Sequence, residues 1–292
     1  TSGIDNTETK AGAKGDDDAH RSKSLALNYQ NQLTEKAKLS LSYNINDSEN
    51  EYDGSCTNST TFASLDCFIY STGTVDSLSG LLEVKVNNVW FTSLQIGSSD
   101  DKSKQYADNI DINTTFSAGE FNTSKQEATW LNNIYFNKNH ILTAGVDYQK
   151  DEVSGSTDYD ESSRDNKAGF IQYQSNFSSL SINLGTRYDD NEQFGSQTTA
   201  SALIGYDLNE HYRLVASYGE GFKAPTFNDL YFPGFGNDRF KPEESKNYEL
   251  GISGDFNDSS FTVTAFQNEV TNLIQYNSAI GGSDQVAEAE IT

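Results

Sequence analysis

Six tight turns alternate with five long polar segments along this chain, and the stretches between them repeat with period two. The tight turns lie at residues 33–36, 87–88, 137–139, 177–179, 208–210 and 257–259. The long segments are residues 46–79, 97–122, 150–166, 189–197 and 219–245. Strands joined alternately by tight and long connections run up and down and have two unlike ends. That asymmetry predicts an all-β fold, an antiparallel transmembrane β-barrel with short turns on one side of the membrane and long loops on the other.

The strands themselves read clearly. Leu39, Leu41, Tyr43 and Ile45 fall on one face, and Ser40, Ser42 and Asn44 on the other. Leu25, Leu27 and Tyr29 precede them across a turn too short for anything but an antiparallel hairpin. Leu180, Ile182, Leu184, Thr186 and Tyr188 repeat the alternation, as do Ala200, Ala202, Ile204, Tyr206 and Leu208. Tyr212, Leu214, Ala216 and Tyr218 continue it, and Tyr248, Leu250 and Ile252 follow. Tyr29, Tyr43, Tyr148, Tyr188, Tyr206, Tyr212 and Tyr218 stand near strand ends, where interfacial girdles belong. A soluble β-sandwich also alternates, but it has no need of long loops at one end only.

Composition agrees. The hydrophobic fraction is 35%, the mean hydropathy is −0.66, and no run is long and apolar enough for a membrane helix. A barrel strand needs lipophilic residues only at alternate positions. Disorder is the other reading of so polar a chain, and 16 Tyr, 17 Phe and the repeated alternation argue against it. The net charge of −23 excludes nucleic acid as a partner, because phosphates are repelled. Acidic residues crowd the long segments and keep them solvated, though such loops can also bind divalent cations. Cys56 and Cys67 share one long segment in a chain otherwise free of Cys. The pair suggests a local disulfide from an oxidising compartment, with two free thiols as the alternative. His20, His140 and His211 lack metal-ligand spacing.

Six hairpins plus a strand near residues 269–276 give 12–13 strands. Large plugged transporters have about 22. Loops of roughly 25–35 residues usually exist to bind something. The expectation is therefore a part of a larger barrel, with residues 1–292 all belonging to it.

One pair of motifs is specific. Tyr218-Gly219-Glu220-Gly221-Phe222-Lys223-Ala224-Pro225-Thr226 is followed by Asp229-Leu230-Tyr231. Then come Phe240-Lys241-Pro242-Glu243-Glu244-Ser245-Lys246-Asn247-Tyr248-Glu249-Leu250-Gly251. Pro225 and Pro242 stand where the chain leaves and re-enters the sheet, so a missing N–H breaks no ladder bond. Glu243, Glu244 and Ser245 are placed to hold the base of the loop.

This pair resembles the hallmark of TonB-dependent outer-membrane receptors. The resemblance extends over nearly the whole chain and is stronger after Asp189. Within that family it is most similar to the cobalamin transporters, through Arg213-Leu214-Val215-Ala216-Ser217-Tyr218-Gly219, Asn268-Glu269-Val270-Thr271-Asn272-Leu273-Ile274 and Ala144-Gly145-Val146-Asp147-Tyr148. The opening Thr1-Ser2-Gly3-Ile4-Asp5 and the later Asp16-Asp17-Asp18 add to it. The resemblance implies a monomer in the bacterial outer membrane, with an N-terminal plug and the last barrel strands lying outside these residues. It implies binding and active uptake of a large scarce nutrient, cobalamin first, with TonB acting through the plug. It also implies Ca²⁺ that orders the extracellular loops. Carried over residue by residue, the metal set is Asp5, Asp16 and Asp18, with Tyr52 and Asp53 from the next loop binding the same cofactor. Carboxylate oxygens suit this hard cation. Ala19 and His20 depart from the glycine and aromatic residue that follow Asp-x-Asp in the family.

An iron-siderophore receptor shares the hallmark and is the nearest alternative. A passive porin or adhesin is the second, but a porin eyelet needs opposed bases and acids, and Arg187 and Arg213 are isolated. No Ser/His/Asp set or nucleophile motif points to an enzyme.

Overall fold

The computed structural model describes residues 2–5, 17–57, 64–109 and 114–292, with backbone only at 2–5, 17–18, 53–57, 64–68, 107–109 and 114–118. Fourteen strands among these residues form one sheet. They are β1 (Ser2–Asp5), β2 (Asp17–Thr34), β3 (Ala37–Thr57), β4 (Ser64–Lys85), β5 (Trp90–Asn109), β6 (Thr114–Asn137) and β7 (His140–Gly155), followed by β8 (Ser163–Phe177), β9 (Leu180–Asn191), β10 (Gly195–Asp207), β11 (Tyr212–Lys223), β12 (Glu243–Phe256), β13 (Ser259–Asn277) and β14 (Gly282–Ile291). Each strand pairs with its neighbours in sequence, and every pairing is antiparallel. A short helix, α1 (Phe227–Tyr231), interrupts the meander between β11 and β12.

All six tight turns lie where the sequence places them, and their chemistry is local. Asn87 Oδ1 accepts from the backbone N–H groups of Val89 and Trp90, both at 2.9 Å. Asn209 Oδ1 does the same for His211 and Tyr212 at 2.9 and 3.1 Å, and Asn137 for Asn139 at 2.8 Å. Thr34 Oγ1 takes the equivalent role for Lys36 and Ala37. A short side chain that bonds the backbone two or three residues on closes the turn without glycine.

The register joins the apolar positions into a belt. Leu27 stands opposite Tyr43, and Tyr43 opposite Leu78. Leu82 meets Leu94, Leu94 meets Trp130, and Trp130 meets Val146. Leu184 meets Ala202, Ile204 meets Ala216, Ala216 meets Leu250, and Ile252 meets Val263. Most of the large side chains in this belt are exposed, up to 62% for Leu250 and Val263. In water such a band would be severely unfavourable, at about 25 cal/mol per Å². In a bilayer it is the surface that lipid covers. Aromatic groups mark its short-turn border. His140 packs edge-on against Phe177 with centroids 4.9 Å apart, and Tyr212 against Phe256 at 5.6 Å. Tyr218 and Tyr248, 5.1 Å apart, mark the other border.

Two expectations change. The polar segments 46–79 and 97–122 are for the most part not loops, because the ladder runs through them. β3 and β4 stay paired from Ala37↔Val84 to Thr57↔Ser64. β3, β4 and β6 have 21, 22 and 24 residues, whereas about 9–11 suffice to cross a bilayer. Roughly half of each therefore projects beyond the lipid. Water meets both faces there, so alternation vanishes while pairing persists. Polar cross-strand contacts support it: Thr74 Oγ1 donates to Asp47 at 2.8 Å, Lys104 pairs with Glu120 at 3.2 Å, and Tyr70 stacks on Tyr106 at 4.9 Å. The second change concerns the strand count. The stretch 269–276 continues β13, and the strands beyond the six hairpins are β1 and β14.

The two faces make a paired test. Leu94 lies in the belt and Gln95 on the opposite face. In the complete protein folded into phospholipid vesicles, Leu94→Arg lowers unfolding free energy by about 2–4 kcal/mol. Gln95→Arg changes it by less than about 1 kcal/mol. Equal losses in denaturant titrations would overturn the facing.

Candidate functional site

The faces that alternate with the belt carry a polar ladder. Arg187 on β9 pairs with Asp147 on β7, and its Nε donates to Asp189 at 2.9 Å. Asp189 also accepts from Asn166 Nδ2 on β8 at 2.8 Å. The guanidinium of Arg187 lies 5.9 Å from the Phe170 ring. Phe170 in turn covers Gly145 across the β7–β8 pair, where a Cβ would come within 2.8 Å of Trp130 O. Gly145 is the residue that leaves room for this ring.

Nearer the long-loop end, the segment between β11 and β12 folds back over the wall. Its helix α1 starts with a capping box: Thr226 Oγ1 accepts from Asp229 N–H at 3.1 Å, and Asp229 accepts from Thr226 N–H at 2.9 Å. Pro225, Leu230 and Phe240 are buried beneath it. Pro225 and Pro242 stand outside the strands, as the sequence places them. Glu243 holds the base of the segment, accepting from Lys223 Nζ at 3.0 Å and from Ile274 N–H at 2.8 Å. Asn272, at φ 56°, leaves a gap in the β13–β14 ladder without shifting its register and donates to Pro242 O at 3.3 Å.

Arg164 at the start of β8 ties this segment to the wall. Its Nη1 donates to Pro225 O at 3.0 Å and to Gln193 Oε1 at 3.2 Å. The guanidinium lies 5.0 Å from the Phe227 ring and 5.7 Å from the Phe194 ring. Gln193 reaches on to the Tyr231 hydroxyl, and Tyr159 OH donates to Asn228 Oδ1 at 2.5 Å. Burial pulls the Arg164 guanidinium below its usual range, partly offset by the nearby Asp151 carboxylate. Burial likewise pushes the Tyr231 phenol up.

A recess of about 650 Å³ opens beside this hub. Val75, Phe121, Val153 and Phe227 line it together with Asp101 and Lys125. Sequence reasoning missed Arg164, Phe121, Phe227 and α1. Thr226-Phe227-Asn228-Asp229 after Pro225 was a usable helix-start signal. Arg164 had none, since its backbone partner is 61 residues away.

The sequence-expected metal set is only partly within the described residues. Asp16 lies outside them, and Asp5, Asp18 and Asp53 are described by backbone alone. Asp5 is opposite Asp17, one position from Asp18. Asp53 lies opposite Phe68 near the end of β3, and β2 pairs with β3 as far as His20↔Asn50. The backbone thus places Asp5, Asp18 and Asp53 at one end of β1, β2 and β3. The Tyr52 hydroxyl accepts from Gln105 Nε2 on β5. Cys56 and Cys67 occupy β3 and β4 at backbone-only positions.

If Arg164 is the tie, Arg164→Ala raises amide exchange in α1 and at Phe240 by about tenfold or more. Arg164→Lys does not restore protection, because an ammonium cannot span a carbonyl, an amide and two rings at once. Unchanged exchange in both variants would show that buried Pro225, Leu230 and Phe240 hold the segment unaided.

A family model described as "TonB dependent receptor-like, beta-barrel" matches residues 1–290. The chain is 29% identical over 262 residues to the vitamin B12 transporter BtuB of Photobacterium profundum, across 89% of this chain and 41% of the relative. It is 28% identical over 265 residues to the vitamin B12 transporter BtuB of Vibrio cholerae serotype O1, across 90% of this chain and 41% of the relative. The chain therefore spans about two fifths of the length of these curated relatives. In structure it is similar to the ferric enterobactin receptor PfeA of Pseudomonas aeruginosa, with a TM-score of 0.77 at 14% identity, covering 98% of this chain and 50% of that one. At that identity the likeness speaks for the fold.

Proposed function

The chain belongs to the TonB-dependent receptor β-barrel family, and we propose that it forms ligand-facing wall of an active transporter whose cargo is a cobalamin. Its place is the outer membrane of Gram-negative bacteria, where this family resides. The observation that carries the cargo is the 29% identity to a vitamin B12 transporter across 89% of the chain. The geometry suits binding. The wall supplies a polar lumen ladder, a rim that stands above the lipid, and a segment tied down over that rim.

In this reading the cargo is captured at the rim, above a plug contributed by the remainder of the receptor. TonB, pulling on that plug, opens the path inward. The present residues bind and orient; energy coupling lies with the plug. Calcium belongs to the same proposal. Asp5, Asp16, Asp18 and Asp53, with the Tyr52 hydroxyl, would supply the oxygen donors that Ca²⁺ requires. The support is that the backbone brings the strands carrying most of them to one end of the sheet. The cation would neutralise acidic side chains that otherwise repel one another and hold the loops apart.

Calorimetric titration of cyanocobalamin into the complete receptor in detergent tests both parts. Tight binding is expected with calcium, weakening about tenfold or more in EGTA. Binding indifferent to EGTA would keep the cargo and remove the metal site. Absence of binding in both buffers would overturn the cobalamin reading.

A further inference from the structure

We infer that the recess beneath α1 is a contact site for the cargo, taking an apolar face of a neutral or cationic molecule and turning away polyanionic chelates. This rests on the transporter reading above and adds to it a place and a selection rule.

The first observation is apolar surface on the wrong face. Val75 stands opposite Asp101, and Asp101 opposite Thr123, on the face that alternates with Leu78 and Trp130 of the lipid belt. Lipid therefore covers none of it. Yet Val75 and Phe121 are 46% and 39% exposed there. Val153 and Phe227 border the same recess, so four apolar side chains from three strands and α1 converge on one volume. Four scattered apolar residues on a wet wall would need no explanation. Four that share a cavity of about 650 Å³ beside a hydrogen-bonded roof make a ligand-sized pocket.

The second observation is charge. Asp101 and Asp151 share the recess face with two cations, Lys125 and Arg164, while Asp100 and Glu152, one residue along their strands, belong to the opposite face, where Glu152 pairs with Lys150. Both cations are engaged. Lys125 Nζ sits 3.4 Å from Glu127, and Arg164 bonds Pro225 O and Gln193 while its faces meet two rings. On the adjoining wall Arg187 is held between Asp147 and Asp189. An anionic cargo meets acids on entering and no unpaired cation among these groups, in a molecule whose net charge is −23. A neutral molecule with methyl-rich and amide-rich edges meets apolar walls and carboxylate acceptors.

The experiment uses the complete receptor, cyanocobalamin as the neutral probe and a ferric tricatecholate as the trianionic competitor. Phe121→Ala weakens cyanocobalamin binding by about tenfold or more while leaving the thermal unfolding midpoint in place, and Phe227→Ala, which also takes a ring from Arg164, weakens binding at least as much. The tricatecholate does not displace the probe at about hundredfold excess. Asp101→Lys, at an exposed position with no packing role, lets it begin to compete. Wild-type affinity in both Phe variants would overturn the recess and leave the cobalamin reading standing. Unchanged affinity with a lowered unfolding midpoint would assign the recess to a packed protein segment and also overturn it. Displacement from the unmodified receptor would overturn the charge rule. A wild-type receptor that binds no cyanocobalamin would overturn the cargo reading and this site with it.

Discussion

A peptide group facing hydrocarbon has no water to bond, so every N–H and C=O in the membrane must find its partner within the sheet. The rest of this structure depends on that constraint. It explains why each strand pairs with its sequence neighbours throughout, and why the turns at one end are as short as Asn and Thr side chains can close them. It also explains how a chain of such low hydropathy belongs in a membrane. Only alternate side chains need to be lipophilic once the backbone is satisfied.

The same ladder continues where the constraint no longer applies. Beyond the belt, β3 to β6 stay paired although water could take over their backbone bonds. There the sheet is held by Ser, Thr, Asn and acid–base contacts across strands, each worth little alone. The β11–β12 segment, with Pro225, Leu230 and Phe240 buried, is tied to the wall farther along, through Arg164 of β8 and Gln193 after β9. A largely buried guanidinium bonded to a backbone carbonyl is directional in a way that apolar packing is not.

The sequence was most legible where a local rule decides the outcome. Asn87, Asn137 and Asn209 mark turns because their side chains bond the nearby backbone. Pro225 and Pro242 mark the ends of the sheet because they cannot donate. The belt was legible because lipid on one side and polar contacts on the other impose period two. Residues 46–79 and 97–122 read as loops because water on both sides erases that period while leaving the pairing intact. Arg164, Phe121 and Phe227 were illegible for a different reason. Their significance comes from neighbours far away in sequence, brought together by register. Helix α1 lies below the length at which periodicity can be read at all, and only its Thr226–Asp229 box could have announced it. The Asp5, Asp16, Asp18 and Asp53 set came from resemblance, and the register adds that Asp5, Asp18 and Asp53 stand at one end of β1, β2 and β3.

A wall made of hydrogen-bonded ladder has already lost its conformational entropy before any cargo arrives. Capture against such a surface carries little further ordering cost, so the speed of encounter is governed by diffusion and orientation, with no slow rearrangement of the wall. An uncharged cargo would also gain nothing from long-range steering by so acidic a molecule, and its arrival rate would be insensitive to ionic strength. On the transporter reading, the tall rim would then serve as a fixed target, with a large capture cross-section held clear of the crowded lipid surface.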